Sequence, residues 1–195
     1  MNLGELIEKI RGLTVDALHA AAAQHADAGR VVYEPALRDA DGNAVTDGEL
    51  VLPTRVDLVV VAADGTGQES ITVETKRLVT FEPVSMEWDG GMDIHVDPFQ
   101  WDWCGLRLEG LPDNPDWAAL TAWFLRQFEA AGDSDGLKDV VHFLGDPTAL
   151  PGGGVALTLD FGSAPVDAFG ELMQAVSATG ARRLMVGRPS TMTPA

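Results

Sequence analysis

Asp57, Glu74 and Lys76 are the residues whose types and spacing best suit chemistry. Two carboxylates brought together can hold Mg²⁺, and a lysine beside them can position or activate an attacking water. Residues 55–63 and 70–81 flank the turn Asp64-Gly65-Thr66-Gly67, which predicts a hairpin. With residues 64–67 as the loop, Asp57 stands opposite Glu74 and Arg55 opposite Lys76. Leu58 then faces Val73, and Val60 faces Ile71, on the other side. The first face also reads as a solvent-facing checkerboard. Arg55 lies diagonal to Glu74 and Asp57 diagonal to Lys76, and such surface pairs form readily without a metal.

A second group lies on the next hairpin, 84–88 with 92–96. A three-residue loop, 89–91, with Gly91 in the left-handed conformation, sets Trp88 by Met92, Met86 by Ile94 and Val84 by Val96. Ser85, Glu87, Asp93 and His95 then share the other face, and Asp97 continues it. One imidazole with several carboxylates suits Zn²⁺, Mn²⁺ or Fe²⁺, which makes Asp93, His95 and Asp97 a candidate metal set. No HxxxH, HExxH or cysteine pair accompanies it, and a hydrated sheet face is the plainer expectation. His142, in Val-Val-His-Phe-Leu with Asp146 beyond, reads as a core or edge histidine. Cys104, between Trp103 and Gly105, has no nucleophile signature.

Arg55-Val56-Asp57 followed by Glu74-Thr75-Lys76 resembles the core of the PD-(D/E)XK nucleases, an aspartate on one strand and Glu-x-Lys on its partner. The resemblance implies a metal-dependent nuclease-like domain, or a degenerate relative, using Asp57, Glu74 and Lys76. Family members carry a helix soon after Glu-x-Lys. Here the pattern predicts that the strand runs on to residue 81.

The formal net charge is -17, from 30 acidic and 13 basic residues. Such a surface repels nucleic acid and anionic membranes, so neither is an expected partner. Nine acids fall within 82–116, at Glu82, Glu87, Asp89, Asp93, Asp97, Asp102, Glu109, Asp113 and Asp116, against the single base Arg107. Trp88, Trp101 and Trp103 lie there too, with Trp117 just beyond. Acid beside large aromatics suits a surface that meets a basic protein. The expected contacts are Glu87, Trp88, Asp89, Asp93, His95, Asp97, Trp101 and Asp102. The leading expectation is therefore a non-catalytic protein-binding module, for example a bacterial immunity-type inhibitor of a basic toxin. A homo-oligomer that buries its tryptophans is a third option. No cofactor is expected.

The elements that position these residues follow from periodicity. Helices are expected at 2–11 and from Thr14, as cap, to about residue 28. Strands are expected at 30–37 and 101–108. Asn114 caps, and Pro115 opens, a helix over 115–131 that Gly132 ends. A strand at 155–161, a helix from a Ser163 or Ala164 cap to Thr179, and a strand at 183–186 close the chain. The fold class is α+β, a mainly antiparallel sheet with N-terminal helices and a C-terminal strand-helix-strand unit. Residues 1–187 form one domain and 188–195 a mobile tail. One cysteine and a charged N-terminus point to the cytoplasm.

Overall fold

The structure is a computed structural model that describes residues 2–129 and 136–192. Helix α1 (Leu3–His25) opens on a capping box: Asn2 accepts from the Glu5 N–H, and Glu5 accepts from the Asn2 N–H. It is one helix, where two were expected. Leu6, Ile7, Ile10, Thr14, Leu18 and Ala22 recur every three or four residues and are all buried. That continuous stripe outweighs the roughly 1 kcal/mol penalty of Gly12 in a helix interior. Thr14 caps nothing; its hydroxyl meets the Thr75 hydroxyl at 3.0 Å in the interior.

The strands that follow are β1 (Gly29–Tyr33), β2 (Thr46–Asp47), β3 (Leu52–Pro53), β4 (Leu58–Ala62) and β5 (Gln68–Ile71). β1, β4 and β5 make a small antiparallel sheet in that order, and β2 pairs with β3. The 64–67 hairpin forms, but Leu58 pairs with Ile71 and not Val73, a register shift of two residues. Asp64 fixes the turn by accepting from the Thr66 N–H and hydroxyl, and the Ala62 N–H bonds to the Gly67 carbonyl. An even shift preserves the faces, so Leu58 and Val60 remain buried. It removes Asp57 from Glu74, however, and the ladder stops at Ile71. Beyond it, side chains replace the missing ladder. Asp57 accepts from the Val73 N–H at 2.7 Å, Asp102 accepts from the Thr75 N–H at 2.6 Å, and Gln100 donates to the Thr75 carbonyl.

The larger sheet uses β6 (Val84–Trp88), β7 (Met92–Val96), β8 (Cys104–Glu109), β9 (Phe143–Leu144), β10 (Thr148–Ala149), β11 (Val155–Asp160) and β12 (Arg183–Gly187). Its order is β10-β11-β8-β12-β7-β6, with β9 also on β11. Only β12 with β7 is parallel. The β6–β7 register is the expected one, Val84 with Val96, Met86 with Ile94 and Trp88 with Met92. Gly90 and Gly91 both take positive φ. The α+β class holds: helices α2 (Ala118–Phe128) and α3 (Asp167–Ala178) pack on one another, and β11-α3-β12 is the closing strand-helix-strand unit. Its two strands flank β8.

Three local expectations are corrected. Helix α2 starts at Ala118, whose N–H is taken by Asp116 and not by Asn114. Its expected end at Gly132 lies outside the described residues. Strand β8 begins at Cys104, so Trp101 and Asp102 precede it. Residues 189–192 of the expected tail form the short helix α4 (Pro189–Met192), whose Met192 is buried against β8. A Cβ on Gly105 would lie 2.8 Å from the Pro189 backbone. Gly105→Val should therefore force α4 off the strand and lower stability by about 1–3 kcal/mol, read by urea denaturation. No helix among the described residues is long and apolar enough to cross a membrane.

Candidate functional site

The chain's most unusual polar assembly forms where β1, the lead into β4, the segment before β9 and the end of β11 converge. Glu34 follows β1 with φ 49°, a left-handed backbone rare outside glycine. Its N–H bonds to the Asp57 carbonyl and its own carbonyl accepts from Arg55. These contacts turn a carboxylate into the interior, where Glu34 is 0% exposed. Oε2 accepts from the Ser163 hydroxyl at 2.8 Å and the Lys138 N–H at 2.6 Å. Oε1 accepts from the Ser163 N–H at 3.0 Å and lies 2.8 Å from His142 Nε2.

His142 is 1% exposed. Its backbone bridges two elements, with its N–H on the Asp160 carbonyl and its carbonyl accepting from the Arg55 N–H. Nδ1 lies 3.0 Å from Asp57 Oδ1 and 3.5 Å from Asp160 Oδ2. Both are ion-pair contacts, and this enclosed nitrogen has no partner of good hydrogen-bond geometry. Asp57 and Asp160 each use their other oxygen on a backbone N–H, of Val73 and Gly162 respectively. Gly162 has to be glycine: φ is 52°, and a Cβ would fall 2.3 Å from His142 Cδ2.

Charge balance in this cluster is uneven. Burial works to raise the Glu34 pKa, but His142, Ser163 and the Lys138 N–H together hold it below the usual carboxylate range. Burial likewise opposes charge on His142, yet Asp160, Asp57 and Glu34 raise its pKa well above the ordinary imidazole value. Asp160 is pushed up, first by burial and further by Asp57, despite the attraction of His142. Three carboxylates thus surround one imidazole.

Asp57 and Asp160 also line a cavity of about 550 Å³, together with Glu74, Lys76, Asp102 and Trp103. Asp57, Glu74 and Lys76 are therefore neighbours of one cavity, although not strand partners. Glu74 and Lys76 are exposed on the pinned segment, and Arg55 is turned away to donate to the carbonyls of Phe128 and Glu34. Asp102 Oδ1 is enclosed without a hydrogen-bond partner. Trp103 is 53% exposed.

The other predicted residues lie elsewhere. Glu87, Asp89 and Asp93 are exposed on the β6–β7 hairpin, Asp93 lying 3.8 Å from Arg183. His95 meets Ser85 Oγ at 2.8 Å and Asp97 at 3.5 Å. Asp93, His95 and Asp97 do not converge as a ligand set. Among the described residues the converging set of three is Asp57, His142 and Asp160. Trp88 is half-buried against the core, and Trp101 is fully buried and unable to touch a partner. Cys104 is buried, which pushes its thiol pKa far up and makes it inert. Asp146 caps the turn before β3 by accepting from the N–H groups of Glu49 and Leu50.

Sequence reasoning missed Glu34, Asp160 and Ser163, and took His142 for ordinary packing. The available signal was an ionisable residue ending an apolar run: Tyr33-Glu34-Pro35, Val141-His142-Phe143 and Leu159-Asp160-Phe161. No protein-family model matches this chain, and neither a curated protein nor a solved structure matches it.

Proposed function

We propose that this protein is a binding module that receives a cationic side chain of a basic protein partner in the cavity beside Trp103. The observation that carries the reading is the lining of that cavity, in which Asp57, Glu74, Asp102 and Asp160 stand beside the exposed indole of Trp103. An arginine or lysine head group would meet these carboxylates and make a cation–π contact. Four carboxylates, Asp57, Glu74, Asp102 and Asp160, line the cavity against the single Lys76. The overall charge of -17 would speed the approach of a basic partner. An inhibitor of a basic toxin is one concrete form of this function. A nuclease has less support, since the β4–β5 ladder ends at Ile71 and the Glu74-Thr75-Lys76 segment is not a strand paired with Asp57.

Titration with an arginine-rich peptide, followed by tryptophan fluorescence and calorimetry, tests the reading. Trp103→Ala and Asp102→Asn should each weaken binding by about tenfold or more, mainly through faster dissociation. Charge reversal at Glu87 and Asp93 should only slow association, and only at low salt. Equal affinity of wild type and both cavity variants would rule the cavity out as the contact.

A further inference from the structure

Independently of any protein partner, we infer that Asp57, His142 and Asp160 bind a divalent first-row transition cation, Zn²⁺ or Mn²⁺. Asp57 Oδ1, His142 Nδ1 and Asp160 Oδ2 are the donors, and Glu34 orients the imidazole. The argument begins with His142 Nδ1. It is enclosed, has no directed hydrogen bond, and faces two carboxylate oxygens that are not spent on backbone groups. A buried polar atom left this way carries a penalty that a bound ligand removes.

The spacing fits a metal. The three ligand atoms lie within 4.8 Å of one another, and the two distances from Nδ1 are 3.0 and 3.5 Å. A tetrahedral ion with bonds near 2.0–2.1 Å sets its ligand atoms about 3.3 Å apart. The charge also fits. With Nδ1 as a ligand the imidazole is neutral, so a divalent ion would replace the single proton charge and leave the three carboxylates with a net charge of -1 in place of -2. Imidazole nitrogen with two carboxylate oxygens suits Zn²⁺ or Mn²⁺ better than Ca²⁺, which takes six to eight oxygens.

Glu34 is the strongest supporting feature. Metal-bound histidines donate their other ring N–H to a carboxylate or carbonyl, which fixes the tautomer. Glu34 holds that place on Nε2 at 2.8 Å, and is itself fixed by Ser163 and the Lys138 N–H. Gly162 leaves room for the ring, and the cavity lined by Asp57 and Asp160 gives an ion and its water a way in. Three protein ligands leave a coordination position open towards that cavity.

The test is calorimetric titration of the full chain, stripped with EDTA, using ZnCl₂, MnCl₂, MgCl₂ and CaCl₂ separately. One equivalent of Zn²⁺ or Mn²⁺ should bind, with Mg²⁺ and Ca²⁺ weaker. Asp57→Asn and Asp160→Asn should each weaken binding at least about tenfold, and Glu34→Gln by about 10- to 100-fold. His95→Ala should leave it unchanged, which excludes the exposed His95–Asp97 pair. Nitrogen NMR of wild type should show His142 Nδ1 unprotonated once metal is added. Absence of saturable binding to wild type at millimolar Zn²⁺ and Mn²⁺ would overturn the inference. So would binding indifferent to both aspartate variants, or binding lost in His95→Ala. The wild-type titration stands even if an aspartate variant fails to fold. The peptide titration, run on stripped protein, reports on the partner-binding reading separately.

Discussion

Glu34→Ala should destabilise the metal-free protein by about 3–5 kcal/mol, the usual result of removing one member of a buried ion pair. Glu34 is fully buried, so solvent screens little of this interaction. The substitution would strand His142 Nε2, the Ser163 N–H and hydroxyl, and the Lys138 N–H, none of which can reach water without local opening. Glu34→Gln keeps the shape and one acceptor, and should lose only about 1–3 kcal/mol. Urea denaturation at neutral pH, with both variants beside wild type, measures the difference. Equal losses in the two variants would mean that the charge, and not the shape that glutamine preserves, explains the site.

The pH dependence of the same protein has a definite sign. The folded-state pKa of Glu34 is depressed, so its contribution is present above the ordinary 4.5 and is lost as pH falls through the folded value. His142 is raised, so its contribution is complete below the ordinary 6.5 and is lost as pH rises through the folded value. Asp160 is raised as well; it favours the folded state most below its ordinary 3.8 and progressively less as pH rises. Stability of the metal-free protein should therefore climb as pH rises through the acid range governed by Glu34, and decline once His142 loses its proton. In Glu34→Gln the acid limb should flatten.

Trp101→Ala should be comparably damaging, at about 3–5 kcal/mol. Its indole stacks on Phe161 at 4.0 Å between centroids and on Phe169 at 6.4 Å, and it is 0% exposed. Its Nε1 has no hydrogen-bond partner. Trp101→Phe removes that unsatisfied donor along with some volume, and should cost clearly less than the alanine change. Thermal and urea unfolding compare the two. Neither Trp101→Phe nor its parent should differ in peptide affinity, whereas Trp103→Ala should. Two tryptophans one residue apart thus separate into a core role and a surface role.

That pair also marks the boundary of what local pattern conveys. A strand over 101–108 would set Trp101 and Trp103 on one face, but the strand begins only at Cys104, so that alternation does not reach them. The β6–β7 register was legible because a short glycine loop leaves few ways to pair the flanking residues. The β4–β5 register was not, because Asp64 and Thr66 enlarge the turn and an even shift leaves the apolar faces unchanged. Hydrophobic pattern could not distinguish the two alignments.

The sequence by itself determined the α+β class, the acidic character, the helical N-terminal region, the β6–β7 hairpin and the closing strand-helix-strand unit. Each follows from residues close in the chain. It also singled out Asp57, Glu74 and Lys76, which do share a cavity, though for reasons other than strand pairing. Only the tertiary structure decided that Asp57 belongs with His142, Asp160 and Glu34. Glu34 and His142 are 108 positions apart, and Ser163 lies 129 from Glu34. No periodicity links residues at such separations. Their meeting depends on how the small sheet docks against the end of β11, through the Arg55 N–H on the His142 carbonyl and the His142 N–H on the Asp160 carbonyl, contacts between segments far apart in the chain.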